Sequence, residues 1–312
     1  MQPPETEPAT PDNYDERSYL VANPDVAQAV YRGEIRSGWD HFVASGQAEG
    51  RLQLRQPQAF THYEPRPPAD SNSFDLFAGR WSSYLPGHGY GEAYTFTDPR
   101  ITWFLEQYGD IRGRSVLELG PMEAGHTYML AEAGANVLAL EANTGAFLRC
   151  LIVKEAYGIK ARFMLGDFMP YMATTDAHFD AAVASGVLYH MEDPVTFLEE
   201  LMRVTDTFLI WSHYFDRDII QARTDISHKF ATSPEFVTHK GRRVELWKQK
   251  YLGALDWGGF CGGPEETSNW LTREGMLGVI EDGGFDVTVG VDEPLHVNGP
   301  AILFMARRRA TT

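Results

Sequence analysis

Between Ser115 and Phe215 the apolar residues follow two rhythms that alternate along the chain. SVLEL (115–119), NVLALEA (136–142), ARFMLGDF (161–168), FDAAVASGVLYH (179–190) and DTFLIWSHYF (206–215) are short, nearly continuous apolar runs. Between them AGHTYMLAEAG (124–134), TGAFLRCLIVKEAYG (144–158) and PVTFLEELMRVT (194–205) read as helices. Strands apolar on both faces, separated by helices of ten to fifteen residues, predict a mostly parallel sheet covered on both sides. Residues 213–268 interrupt this rhythm. A helix near 269–282 resumes it, and GFDVTVGVDEP (284–294) and GPAILFMARR (299–308) are β-rich runs close enough to lie antiparallel at the sheet edge. The fold class expected is α/β, a doubly wound, seven-stranded sheet with an antiparallel C-terminal hairpin.

Upstream of that core the pattern is looser. Residues 1–12, rich in proline and acid, predict a disordered tail. Residues 13–56 predict a helical hairpin, with Asn23-Pro24-Asp25 opening one helix and Ser37 capping the next. Residues 57–70, with four prolines in fourteen positions, read as a linker. The aromatic-rich stretch 71–113 predicts a helical cap over the core, assigned to 114–212 and 269–308, and 213–268 a substrate lid.

The chain has 312 residues and a formal charge of −16, which disfavours broad binding to nucleic acid or an anionic membrane. One segment reverses that sign: 217–250 holds eight Lys or Arg against four acids. Arg223, Arg242 and Arg243 there are candidates to bind a phosphate or carboxylate on a substrate. Cys150 and Cys261 lack a paired spacing, and no ligand spacing joins His213, His228 and His239, so no metal is expected. With no apolar run long enough to span a bilayer and no signal-peptide pattern, a cytoplasmic protein is expected.

In a doubly wound sheet the loops after the strands hold the ligand. After the first strand come Glu118 and Gly120, the latter able to turn sharply, then Gly125 and His126 at the start of a helix. Glu141 ends the second strand 21 residues after Gly120, where a carboxylate can accept from both ribose hydroxyls of an adenosine. Asp167 ends the third, placed to accept from an adenine amino group.

This arrangement resembles the class I S-adenosylmethionine-dependent methyltransferases, a Rossmann-like family whose first loop runs acid-x-Gly-x-Gly-x-Gly. Glu118 and Gly120 match, and Met122 and Ala124 stand where the second and third glycines would be. The resemblance implies S-adenosyl-L-methionine as cofactor, with Glu141 on the ribose, Asp167 and Phe168 by the adenine, Ser185 in the loop after the fourth strand, and His126 beside the cofactor carboxylate. Gly186-Val187-Leu188-Tyr189-His190 with Asp193-Pro194, and Asn269-Trp270-Leu271-Thr272, are similar to enzymes that modify the wobble uridine of transfer RNA. Comparable text occurs in methyltransferases of sugars and small metabolites, which the acidic charge favours. The N-terminal hairpin resembles helical modules appended to enzymes of surface-glycan assembly, implying packing or docking to a protein partner.

The expected activity is methyl transfer to oxygen or nitrogen of a small polar acceptor, sugar-like or anionic. The alternatives are tRNA modification and a non-catalytic cofactor-binding scaffold. A hydroxyl acceptor needs a base, and His190 and His213, just past the fourth and fifth strands, are the candidates. Tyr189, Tyr214, His296 and Asn298 are candidates to position the acceptor.

Overall fold

The structure, a computed structural model, describes residues 6–54, 63–252, 262–263 and 265–310. It divides into two units between Pro67 and Pro68.

In the first unit, β1 (Thr6–Pro8) pairs antiparallel with β2 (Leu52–Leu54). Residues 6–8 are therefore not tail: they pair with β2, and the Ala9 N–H continues the pairing by donating to the Arg51 carbonyl. Three helical segments follow, Glu16–Ala22, Pro24–Tyr31 and Gly38–His41, the last running on into a π-type turn at Phe42–Gly46. Asp15 and Ser37 cap the first and third, and Pro24 occupies the first turn of the second, where no N–H is needed. Tyr19, Val26 and Phe42 form a small core. The linker expected at 57–70 falls largely outside the described residues, and a helix, Asp70–Asp75, already begins at its end.

The second unit is built on a seven-stranded sheet of order β11-β12-β7-β6-β3-β4-β5. Its strands are β3 (Ser115–Leu119), β4 (Asn136–Glu141), β5 (Ala161–Leu165), β6 (Ala181–Ser185), β7 (Thr207–His213), β11 (Phe285–Glu293) and β12 (Ala301–Arg308). β5, β4, β3, β6 and β7 are parallel; β12 runs antiparallel to both β7 and β11. Alternate residues face opposite layers. Leu117, Leu119, Ala182, Ala184, Phe208 and Ile210 pack on one side, and Val116, Ala181, Val183, Leu209 and Leu303 on the other.

Two expectations for the flanking regions change. The 71–113 cap is mostly irregular, with a short turn at Thr95–Thr97 and one long helix, Pro99–Tyr108. The 213–268 insertion, expected as a substrate lid, holds more strand than helix among its described residues. After two short helices, Arg217–Ala222 and Thr224–Ser227, it forms an antiparallel sheet of β8 (Glu235–His239), β9 (Arg242–Lys250) and β10 (Thr267–Leu271). RRVELWKQK buries Val244 and Leu246 two positions apart, the period of a strand. Asn269 to Leu271 therefore belong to a strand, and the last helix is Arg273–Asp282. Cys261 lies outside the described residues.

Candidate active site

β3 lies at the middle of the parallel strands, with β4 on one side and β6 on the other, so the chain changes direction there and opens a crevice above the carboxyl ends of β3 and β6. Glu118, one residue before that end, is 1% exposed. One carboxylate oxygen accepts from the Thr127 hydroxyl, and the other, Oε1, is buried with no partner among the described residues. Burial pushes this acid up to about 7, with the nearby Glu141 adding to the rise and Thr127 opposing it.

The loop then turns on three left-handed residues at alternate positions: Gly120 at φ +63°, Met122 at 54° and Ala124 at 60°. Met122 and Ala124 stand where the resembled pattern has glycine, and they keep the backbone conformation that glycine would supply. The cost is about 1–2 kcal/mol for each L-residue. A Cβ on Gly120 would come 3.2 Å from Val187, narrowing the crevice. Gly125 acts differently from expectation. It has no left-handed φ to supply; a Cβ there would lie 2.2 Å from Thr95 Oγ1 and 2.8 Å from the Thr95 carbonyl carbon, so glycine admits the 95–97 turn against the helix Gly125–Glu132.

Glu141 accepts from the Met122 N–H (3.1 Å) and the Asn143 N–H (2.8 Å), one bond to each oxygen. A carboxylate has room for about four such bonds, so each oxygen retains capacity for a ligand hydroxyl. Burial raises its pKa, against those backbone donors. Asp167 is exposed and caps the helix Phe168–Thr174 by accepting from the Met169 N–H at 2.8 Å. Phe168 packs edge-on to Phe197. Ser185 ends β6 with a buried hydroxyl that has no partner among the described residues. An unpaired carboxylate oxygen, an unpaired hydroxyl and a cradle that only glycine leaves open around one crevice suit an adenosine cofactor carrying an ammonium group.

His126 is committed elsewhere than expected. Its Nε2 contacts Asp98 Oδ2 at 2.9 Å, and Asp98 also accepts from Arg100 Nε at 2.9 and 3.1 Å and from Arg100 Nη2 at 2.5 Å. Burial would raise the Asp98 pKa, but His126 and Arg100 outweigh it and hold the carboxyl well below the usual range.

A second cluster lies above β6 and β7. His213, 5% exposed, ends β7, with Nδ1 lying 3.0 Å from the Gly299 carbonyl and 3.2 Å from that of Pro300. Carbonyls only accept, so Nδ1 carries the proton and Nε2 holds the lone pair. Nε2 makes no hydrogen bond among the described residues. The ring stacks on Trp270 at 5.1 Å and 6°, and Tyr189, Trp211 and His296 surround it at 4.7 to 5.1 Å. Burial lowers His213 to about 4, with His296 adding to the drop and the two carbonyls opposing it. His190 falls to about 4 as well, through burial and the proximity of His213, and its Nδ1 meets the Tyr251 hydroxyl at 2.8 Å.

Other expected residues serve the scaffold. Tyr214 is buried in the core and donates to Asp292 at 3.0 Å, so it does not line the cluster. Arg223 is fully engaged by Asp225 and by the carbonyls of His296 (3.0 Å) and Val297 (2.7 Å); it fixes the His296 loop rather than presenting a free cation. Asn298 is exposed and uses its backbone N–H on His296 Nδ1 (3.2 Å). Arg242 pairs with Asp282 at 2.6 Å and Arg243 lies 3.5 Å over Phe236. Asp282 ends the last helix next to β11, whose Phe285 pairs with Arg308, beside the start of β7. That is the end of the sheet opposite the crevice. Among the described residues no group of three His, Cys, Asp or Glu could hold a metal.

Sequence reasoning missed the residues joining cap and core. Glu123, fully buried, accepts from the Ser82 and Ser83 N–H groups and pairs with Arg149 at 3.0 Å. Asp98, Arg100 and Trp211 were also unremarked; the Asp98-Pro99 cap before a helix was the available signal for the first.

Comparison with known proteins adds to this geometry. Residues 117–207 match a family described as methyltransferase domain. No protein with curated annotation matches the sequence. Among solved structures, the N-terminal domain of EvdMO1 with SAH bound is 21% identical, covers 77% of this chain and 95% of its own, and superposes with a TM-score of 0.57. The same domain crystallised in the presence of SAH and D-fucose gives 21%, 77%, 95% and 0.56. These likenesses show the fold. No helix among the described residues is long and apolar enough to cross a membrane.

Proposed function

We propose that this chain, an S-adenosylmethionine-dependent methyltransferase of the class I fold, methylates a hydroxyl of a small, neutral, sugar-like acceptor, with His213 as the base. The observation that carries the reading is the tautomer of His213. With Nδ1 fixed on two backbone carbonyls, Nε2 keeps its lone pair in a ring surrounded by those of Tyr189, Trp211, Trp270 and His296. Held near 4, the imidazole is neutral at pH 7, so the lone pair is available without prior deprotonation.

The bound cofactor supplies a sulfonium methyl group to an attacking nucleophile. Glu118, Gly120, Glu141, Asp167, Phe168 and Ser185 would hold it, and the buried Glu118 Oε1 is the acceptor best placed by chemistry for its ammonium. With the cofactor bound, His213 Nε2 would take the acceptor's hydroxyl proton as the oxygen displaces the sulfur from the methyl carbon, the S–C electron pair leaving with the sulfur as a neutral thioether, and Trp270 and the two carbonyls would hold the ring. His190, bonded to Tyr251, orients rather than reacts. The aromatic rings favour the C–H faces of a sugar ring, and the EvdMO1 domain, similar in fold, was crystallised in the presence of D-fucose. The arginines expected to recognise an anion are engaged by carboxylates or carbonyls, or lie at the far end of the sheet, which removes the support for a charged acceptor or tRNA.

Titration calorimetry with S-adenosylmethionine and S-adenosylhomocysteine, followed by transfer of a radiolabelled methyl group to a panel of saccharides, tests this. Label in a base-stable methyl ether is expected, and His213→Gln should lower turnover about 10²- to 10⁴-fold. Label recovered only in amines or carboxylates would overturn the reading.

A further inference from the structure

Arg100 lies beside the histidine cluster, over Trp211, and outside the locally basic stretch. It stands in the first turn of the helix Pro99–Tyr108. Its Nε and Nη2 both bind the Asp98 carboxylate, and its guanidinium carbon lies 4.7 Å over the Trp211 ring. Two constraints, a side-on ion pair and an aromatic face, fix a planar group in position. Trp211 in turn touches His213 at 5.1 Å, His296 at 5.7 Å and Tyr189 at 6.1 Å.

The planarity of guanidinium points the Nη1 edge away from Asp98. Nη1 makes no hydrogen bond among the described residues, and the side chain is 28% exposed. Asp98 cancels the charge of Arg100, so the pair works as a directional donor more than as a cation. Such a donor suits a neutral oxygen, a hydroxyl or a ring ether, whereas a carboxylate would meet Asp98 close behind and a chain of charge −16 around it.

We infer that Arg100 is the acceptor-anchoring residue: its Nη1 donates to an oxygen of a neutral saccharide while Trp211 and Asp98 hold the guanidinium, setting the ring against His213. Asp98 is a positioning residue in this scheme. The inference rests on the saccharide reading above and adds the residue that selects the uncharged sugar.

The test uses the full chain saturated with S-adenosylhomocysteine and saturation-transfer NMR with the methyl glycosides of glucose, galactose, 6-deoxygalactose and glucuronic acid. The neutral glycosides should bind in preference to the glucuronide. Arg100→Leu should weaken the best neutral glycoside at least tenfold while the affinity for S-adenosylhomocysteine changes less than twofold. Arg100→Lys, which keeps charge and bulk but loses the planar fork, should weaken it nearly as much. In methyl-transfer assays both variants should raise KM far more than they lower kcat. Unchanged glycoside affinity in both variants overturns the inference and leaves the saccharide reading standing. So does a loss of S-adenosylhomocysteine binding with glycoside binding intact, which would assign Arg100 to the cofactor carboxylate. Preference for the glucuronide overturns the neutral selection. Silence from every glycoside in the unaltered protein, with no label transferred to any of them, overturns the saccharide reading and this inference with it.

Discussion

Acid stability separates two of the buried titrating groups of the candidate site, His213 and Glu118, because they pull in opposite directions. His213 is held near 4 against 6.5 for a free imidazole. Between those values the unfolded chain binds the proton and the folded chain does not, so stability is lost as pH falls from about 6.5 towards 4. From pH 7 to pH 5 the loss is roughly 2 kcal/mol. Glu118 is held near 7 against 4.5. Here the folded chain binds the proton first, so stability is gained as pH falls through 7 towards 4.5, again by roughly 2 kcal/mol over the same interval. The two contributions nearly cancel, and single substitutions should uncover them. Urea denaturation at pH 7 and pH 5 gives the difference for each protein, which removes any pH-independent packing effect of the substitution. Relative to the unaltered chain, His213→Gln should lose about 2 kcal/mol less on acidification, and Glu118→Gln about 2 kcal/mol more. Identical pH increments in all three proteins would refute the reasoning, since they would mean that neither group titrates differently in the folded state.

The same chemistry predicts proton release on cofactor binding: if the cofactor ammonium meets Glu118 Oε1, calorimetric enthalpies of S-adenosylhomocysteine binding at pH 7 should vary with the ionisation enthalpy of the buffer, and the dependence should vanish in Glu118→Gln. Gly125→Ala drives a Cβ to 2.2 Å from Thr95 Oγ1, so thermal or urea denaturation should register a loss of about 1–3 kcal/mol, the range for overpacking; Thr95→Gly in the same chain should return part of it. Ala124→Gly relieves a left-handed φ of 60° and should leave stability unchanged or raise it by up to about 1 kcal/mol, the strain relieved less the entropy of glycine. Arg242→Ala and Arg243→Ala should leave kcat and KM within about twofold, because those side chains stand at the far end of the sheet; a large rise in KM would return them to the site.

The sheet was legible because each strand and its neighbouring helix lie within about twenty residues, where one periodicity gives way to another. The carboxylates Glu118, Glu141 and Asp167 were legible for the same reason: a strand end can be counted along the chain. The insertion was less so. Its β9 pattern, RRVELWKQK, alternates, but the charges between its apolar positions read equally as a solvated helix, and only pairing with β8 and β10 decides between them. Gly125 could be placed at a helix start, but the reason for a glycine there is the approach of Thr95, thirty residues earlier, a contact that no local pattern encodes.

The arginines mark a different limit. The sequence showed a basic stretch in an acidic chain and made those cations candidates for an anionic substrate. With 43 acids to 27 bases, however, an arginine reaching the folded surface meets a carboxylate more readily than it stays free. Arg223 ends on Asp225, Arg242 on Asp282 and Arg100 on Asp98. What distinguishes them is which edge of the fork is left over and where it sits. Arg223 spends its remaining donors on the His296 loop, Arg242 lies at the wrong end of the sheet, and Arg100 alone of the three keeps Nη1 unspent beside Trp211. Local charge density is therefore a poor guide to recognition in this chain. On the proposed reading, the polarity that matters is a single donor edge whose charge is already cancelled, and that edge would favour an uncharged acceptor over an anion.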